Sequence, residues 1–512
     1  MSTEYYRTNS VYAKPNHLFG FGLGLMMAAF AVTLVSVLLA SDFSATKPLV
    51  FILPWVLALA VVFAVPLVVM LYRGIFTFYD PIVFATFSYL LPAFVLGGII
   101  LAFGWSEPYF LSFIQDTEVN FPLSIELIAL GFLGLISGYF LPVGRIIGAR
   151  ISNLLPGHEP DARFFIVPGF ILLFVGMFNS YAATVLGIIG YQRPEEISIY
   201  DGLIFLTTLF WMQASFVLWF VIFKDGRLTP GNILIASILL ITSIVKALYA
   251  GNRGGLLHIS IIIGLAYLLS GRQLNFRKSV AAVVLVSLAL MVGMIYGTTF
   301  RLNKGDESAA GIESYTSDVL TTLDHVSKTE NMAAIEFGIT NLAERIDVLS
   351  SVAVVVSNYE QLQPYEESYG LDNNITKDLS TFFIPRILWN DKPVASEPRT
   401  YSDLYFNYPD NSFAITPIAD LLRNFGVWGI FPGMLALGII LRMLYRALVE
   451  DQPRMLGRSV LYFMLLTSVS YEGFYGAIIP YMVKVGVIAV IGIIPVVYAA
   501  SRIEKSSLRS SL

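Results

Sequence analysis

Residues 280–300 read VAAVVLVSLALMVGMIYGTTF, twenty-one positions without a charged side chain. About 20 apolar residues are what a helix needs to cross the hydrocarbon core of a bilayer. Backbone groups inside lipid must bond within their own segment, so a run like this is a helix. Outward from it the same signature recurs. Twelve candidate spans fall at about 18–40, 48–71, 82–103, 123–147, 164–186, 202–223, 232–250, 255–270, 280–300, 416–445, 459–479 and 482–500. The seventh and eighth are separated only by the tight turn AGNRGG, residues 250–255. The predicted fold is an all-α polytopic membrane protein, about twelve transmembrane helices with one large external loop containing amphipathic helices. Residues 1–300 form a bundle of about nine helices, 301–412 the loop, and 413–512 a second bundle of about three.

Composition points the same way. Hydrophobic residues make up 56% of the chain, charged residues 13%, and the mean hydropathy is +0.71, against about 25% charged in an ordinary soluble domain. So little charge cannot cover a water-facing surface, and lipid must solvate much of it. The absence of cysteine excludes disulfides, thiolate metal sites and iron–sulfur clusters. The N-terminal MSTEYYRTNSVYAKPNH is polar and leads into an apolar run too long for a signal peptide, so that run reads as a retained signal-anchor helix.

Orientation follows from the lysines and arginines of the short loops. With the N-terminus inside, the inside segments collect Arg7, Lys14, Arg73, Arg145, Arg150, Arg163, Lys224, Arg227, Arg272, Arg277 and Lys278. Later inside segments add Arg442, Arg446, Arg454, Arg458, Arg502, Lys505 and Arg509. The short outside loops hold Lys47, Arg193 and Arg253, with none in 104–122. Both termini are therefore expected in the cytoplasm and the long loop outside. No 20–50-residue repeat is visible, and nine spans before the loop against three after it lack the six-plus-six symmetry of many transporters.

The loop carries eight basic and eighteen acidic residues, a net charge of −10 against +6 for the remainder. NMAAIEFGITNLAERIDVLSSVAVVV, residues 331–356, reads as an amphipathic helix on or in the outer leaflet. PYEESYGLDNNITKDLSTFFIPRILWNDKP, residues 364–393, mixes aromatics, acids and amides, which suits sugars as well as an ordinary membrane interface.

Missing motifs narrow the chemistry. There is no GxxxxGK phosphate loop, no DxD pair and no histidine spacing that suggests a metal site. What is present is a set of cations near the outer membrane level. Lys246 and Arg253, seven apart, would share a helix face, and Arg253 lies among Gly251, Gly254 and Gly255. A guanidinium beside a helix N-terminus suits phosphate oxygens; a snorkelling arginine at a tight turn is the alternative. In FFIPRILWNDKP, Arg386 and Lys392 bracket Trp389 on a proline-stiffened segment, which is also the pattern of an interfacial hook. In TPIADLLRNFGVWG, Asp420 and Arg423 stand i, i+3, as a local ion pair or as a site element. Glu472 of SYEGFYG lies at an outer helix end, where an ionisable group is a functional candidate.

GNRGGLL after a lysine-bearing span, then a long outer loop containing IPRILWNDKP, then TPIADLLRNFGVWG, together resemble the Wzy-type oligosaccharide repeat-unit polymerases of bacterial inner membranes, which make O-antigen and exopolysaccharide. The motifs cover about residues 240–480. The resemblance implies undecaprenyl-pyrophosphate-linked glycan as substrate, membrane lipid as surroundings, a chain-length regulator as an open question, and no nucleic acid or cofactor. It implies polymerisation on the outer face of the inner membrane, with Arg253, Arg386 and Lys392 on the pyrophosphate, Lys246 and Arg423 supporting, and Asp420 or Glu472 as general base. A polysaccharide-to-lipid ligase, and a lipid-linked oligosaccharide flippase or other secondary transporter, are the competing expectations.

Overall fold

The computed structural model describes residues 49–510 except 187, 189–199, 228, 252–253, 305–311, 329–341, 385–387, 390–391, 393–395, 410–411 and 453. Every regular element among them is helical. The series opens with α1 (Val50–Tyr72), α2 (Pro81–Ala102), α3 (Thr117–Phe140), α4 (Pro142–Leu154), α5 (Ala162–Val185) and α6 (Asp201–Asp225). Then come α7 (Pro230–Ala250), α8 (Gly255–Leu269), α9 (Phe276–Lys304), α10 (Ile312–Lys328), α11 (Leu349–Glu366) and α12 (Asn374–Thr381). Last are α13 (Pro398–Phe406), α14 (Pro417–Phe425), α15 (Val427–Leu448), α16 (Leu456–Thr467) and α17 (Tyr475–Ser510). Among the described residues nine helices are long and apolar enough to cross a membrane: α1, α2, α3, α5, α6, α7, α9, α15 and α17.

Nine of the twelve expected spans thus have a membrane-length helix. The expected span at 18–40 lies outside the described residues. That at 255–270 is α8, apolar but fifteen residues long. The run at 459–479 is not continuous: α16 stops at Thr467 after twelve residues, and the helix resumes only at Tyr475. Between them the Ser470 hydroxyl accepts the Glu472 N–H, competing with helical bonding. The run at 416–445 is likewise two helices. Gly426, at φ 66°, takes a backbone conformation that side chains disfavour and divides α14 from α15. At 123–147, Leu141 is extended because Pro142 follows it, and α3 ends there.

A second correction concerns residues 331–356. Those before Leu342 lie outside the described residues, but Leu349–Val356 is buried on every side, with Val352 to Val355 at most 1% exposed. The first two turns of α11 are therefore core rather than lying on a leaflet, while its second half, Ser357 to Tyr365, is partly or fully exposed. Asp347 holds its start, accepting the Ser350 N–H at 3.1 Å and the Ser106 hydroxyl at 3.2 Å.

The main scaffold is a glycine-lined seam on α15. A methyl on Gly134 would stand 2.6 Å from the Phe431 carbonyl, one on Gly144 2.6 Å from that of Ile439, and one on Gly148 2.5 Å from that of Met443; Gly138 abuts the Leu435 carbonyl even more tightly. The partner numbers rise together, so α3 and α4 run parallel to α15 along its length. In lipid, the close van der Waals packing that such backbone approach allows is one of the forces that hold helices together. Gly138→Val is expected to cost about 1–3 kcal/mol by overpacking and to lower the melting temperature of the purified protein. Gly157→Val, at a glycine with open space around it, should leave the temperature unchanged; equal melting of the two variants would refute the seam.

Candidate functional site

The short helix α14 begins cleanly. The Thr416 hydroxyl accepts the Ala419 N–H at 3.1 Å, and Pro417 occupies the first turn, where its missing N–H costs nothing. Spacing of i, i+3 then puts Asp420 and Arg423 on one face. Both side chains are fully buried. The guanidinium donates to Glu366 of α11 at 2.6 Å, to Asp420 at 2.9 Å and to the amide oxygen of Asn374 of α12 at 2.8 Å. Asn424 donates to the same Asn374 oxygen at 2.8 Å, and the Tyr405 hydroxyl of α13 to Glu366 at 2.8 Å. The rings of Tyr401, Tyr405 and Phe474 stand 5.9 to 6.0 Å from the guanidinium carbon.

Burial alone would lower the Arg423 pKa, but Asp420 and Glu366 more than offset it and hold the guanidinium above its ordinary range. Burial, and after it the Glu366 charge, push the Tyr405 phenol well up. A single cation therefore ties four helices together, α11, α12, α14 and, through Tyr405, α13. A fifth joins through its backbone: Gly476, in the first turn of α17, donates its N–H to Asp420 at 3.3 Å, where the positive end of the helix favours a carboxylate.

The network continues toward the surface. Asn374 donates to the Ser396 hydroxyl at 2.8 Å, and Ser396 donates to Asp378 of α12. Asp378 is only partly buried. Burial lifts its carboxyl above the ordinary range; Asp420 adds to the lift, while the Ser396 hydrogen bond, Lys484 and Lys392 oppose it. Beside it opens an apolar cavity of about 550 Å3, lined by Ile375, Leu379, Leu421, Phe425, Pro432 and Tyr475 among others. A carboxylate with a raised pKa, two nearby lysines and an adjoining apolar cavity can take a proton from one end of an amphiphile whose tail is buried.

The residues singled out from sequence divide sharply. Asp420 and Arg423 are together in the network. Lys392, half-buried, donates to the Ile384 carbonyl at 3.0 Å and acts on Asp378. Glu472 is outside the network, ion-paired with Arg345, both partly exposed. Lys246 lies over the Trp211 ring of α6, 4.2 Å from its centroid, and is not among the partners of Arg423. Arg253 and Arg386 lie outside the described residues. Sequence reading passed over Glu366, Asn374, Asp378, Ser396, Tyr405, Asn424 and Lys484. Lys484 carried a usable signal, as a charge inside an apolar run; Asn424 adjoins Arg423 in DLLRNF.

Another buried polar cluster joins the far end of α15 to α2 and α3. The Tyr139 hydroxyl donates to Asp80 at 2.6 Å, Arg442 donates to Tyr139 at 3.4 Å, and Arg442 forks onto both oxygens of Glu450 at 2.7 and 2.8 Å. Its groups are mutually satisfied, which suits a structural clamp.

The apolar helices make this a multi-pass helical membrane protein. Its particular family is the one described as a domain of unknown function, DUF8712, whose model matches residues 172–488, and the chain belongs to that family. The matched stretch runs from α5 into α17 and contains the entire Arg423 network. No curated protein and no solved structure matches the chain.

Proposed function

We propose that this protein is a membrane glycosyltransferase that joins undecaprenyl-pyrophosphate-linked oligosaccharide units at the outer face of a bacterial inner membrane. In this reading the chain has twelve spans, both termini are cytoplasmic, and residues 301–412 face outward. The observation that carries it is the Asp378–Ser396–Asn374–Arg423 network beside the apolar cavity, at the starts of α15 and α17. Depth supports it. Lys484 is exposed, and the rise from it to Arg502 along α17 is about 27 Å at 1.5 Å per residue, close to the ~30 Å hydrocarbon thickness. With Arg502 at one boundary, Lys484 stands at the other, where lipid phosphates lie.

In the proposed reaction Asp378 accepts the proton of an acceptor sugar hydroxyl as that oxygen attacks the anomeric carbon of the donor. The bond from that carbon to the pyrophosphate oxygen breaks, and the electron pair leaves with the pyrophosphate. Lys392 and Lys484, with Arg253 and Arg386 as the remaining proposed cations, offset the developing negative charge. Arg423 is fully buried, its Nε–H unpartnered among the described residues but out of reach of a phosphate, and its part is to position Asp420, Glu366 and Asn374. Asp420, closed off by Arg423, Asn374, Asn424 and Gly476, is a less fitting base than Asp378, and Glu472 is engaged by Arg345.

The test is purified protein in vesicles supplied with lipid-linked repeat units and no ion gradient. Longer glycans should accumulate on the lipid carrier. Lipid-linked glycan crossing the bilayer with no new glycosidic bond would overturn the proposal in favour of a flippase. Transfer only of finished polymer to a different lipid would overturn it in favour of a ligase.

A further inference from the structure

Lys246 belongs to a different constellation. It stands in α7, inside an apolar span, with its ammonium 4.2 Å from the centroid of the Trp211 ring. A lysine that only snorkels extends toward the interface; this one folds onto an indole of the neighbouring helix. Trp211 is 7% exposed, and its Nε1–H has no acceptor among the described residues. No carboxylate there pairs with Lys246 either. An unmet buried donor is expensive in a lipid-surrounded bundle, and beside the Trp211 N–H stands a half-buried ammonium with no carboxylate partner.

The geometry is held firmly. α6 is interrupted at Thr208, so that Trp211 sits in the first turn of its second stretch. The Trp211 backbone presses against Gly176 of α5, where no side chain would fit. Gln213, two residues on, donates to the Ala489 carbonyl at 2.7 Å, and Ala489 is five residues from Lys484. Lys246 and Trp211 therefore lie within about 10 Å of the depth of Lys484, counting 1.5 Å per residue along each helix.

We infer that Lys246 and Trp211 bind a phosphate group at headgroup depth, at a site separate from the Arg423 network. The ammonium supplies the countercharge and the indole N–H donates to a phosphate oxygen. The phosphate belongs to a lipid headgroup or to a free phosphate ion. The site stands apart from the transfer reaction proposed above.

The experiment uses the full-length purified protein and native mass spectrometry, titrating phosphatidylglycerol with diacylglycerol as the phosphate-free comparison. Lys246→Gln is expected to weaken phosphatidylglycerol retention about tenfold, the worth of one charge-assisted hydrogen bond, and Trp211→Phe to weaken it less. Lys246→Arg should retain it, which separates lost binding from misfolding. Lys224→Gln, at the exposed end of α6, should leave it unchanged. Inorganic phosphate added at millimolar concentration identifies the source: competition marks a free-anion site, and its absence a headgroup site. Equal retention by wild type and Lys246→Gln in both arms, or equal loss in Lys246→Gln and Lys224→Gln, overturns the inference. Binding is read without turnover, so a negative result here leaves the glycosyl-transfer proposal standing.

Discussion

Replacing Arg423 by Leu is expected to remove folded protein from the membrane as well as activity. The substitution leaves Glu366 and Asp420 buried side by side without their countercharge. Breaking a buried ion pair by deleting one partner costs about 3–5 kcal/mol, against total stabilities of about 5–15 kcal/mol. Because the same guanidinium also bridges to Asn374, the loss spreads over the helices it joins. Lower abundance and a lower melting temperature in detergent are the readouts. Arg423→Lys should fall between, since an ammonium keeps the charge but lacks the planar fork that reaches three acceptors. Adding Glu366→Gln and Asp420→Asn to Arg423→Leu should recover much of the lost stability, because the cost is unpaired charge more than lost contact. Wild-type melting of Arg423→Leu would show that those carboxylates do not need the arginine.

Asp378→Asn should behave in the opposite way, losing activity and keeping the fold. Asp378 is only partly buried and accepts one hydrogen bond, from Ser396, which an asparagine oxygen can also accept. Loss of a general base typically costs 10²- to 10⁴-fold in rate, in round terms about a thousandfold. The pH profile gives a further sign. The base works ionised, and burial lifts its carboxyl above the ordinary range, so activity should fall on acidification at a higher pH than an exposed aspartate would give. Lys484 and Lys392 oppose that lift, so Lys484→Gln should move the acid limb to still higher pH. Polymer formation by Asp378→Asn at the wild-type rate would remove Asp378 from the mechanism.

The membrane class was legible because hydrophobic length is a one-dimensional property, and runs such as 280–300 leave no other solution. Interruptions were harder. Gly426 and the residue before Pro142 stop helices inside stretches whose hydropathy continues unbroken, and hydropathy averages over single backbone angles. Half of the site was visible because Asp420 and Arg423 are neighbours on one helical turn. Glu366 and Asn374 lie 57 and 49 residues from Arg423 in sequence, and nothing local marks either as its partner. Leu349–Val356, read as part of an amphipathic helix at the outer leaflet, is a related case: an apolar helix face looks alike whether lipid or protein covers it.

The pairing of α3 with α15 also has a consequence in time. Some 290 residues separate the end of one from the start of the other. At ribosomal rates of about 5–20 residues per second, α3 waits roughly 15–60 s for its partner to be made. Through that interval its glycine furrow is an unclaimed docking face, open to lipid, to insertion machinery or to the wrong helix. Assembly of this bundle is therefore a matter of keeping one face of an early helix unengaged until nearly the last helix arrives.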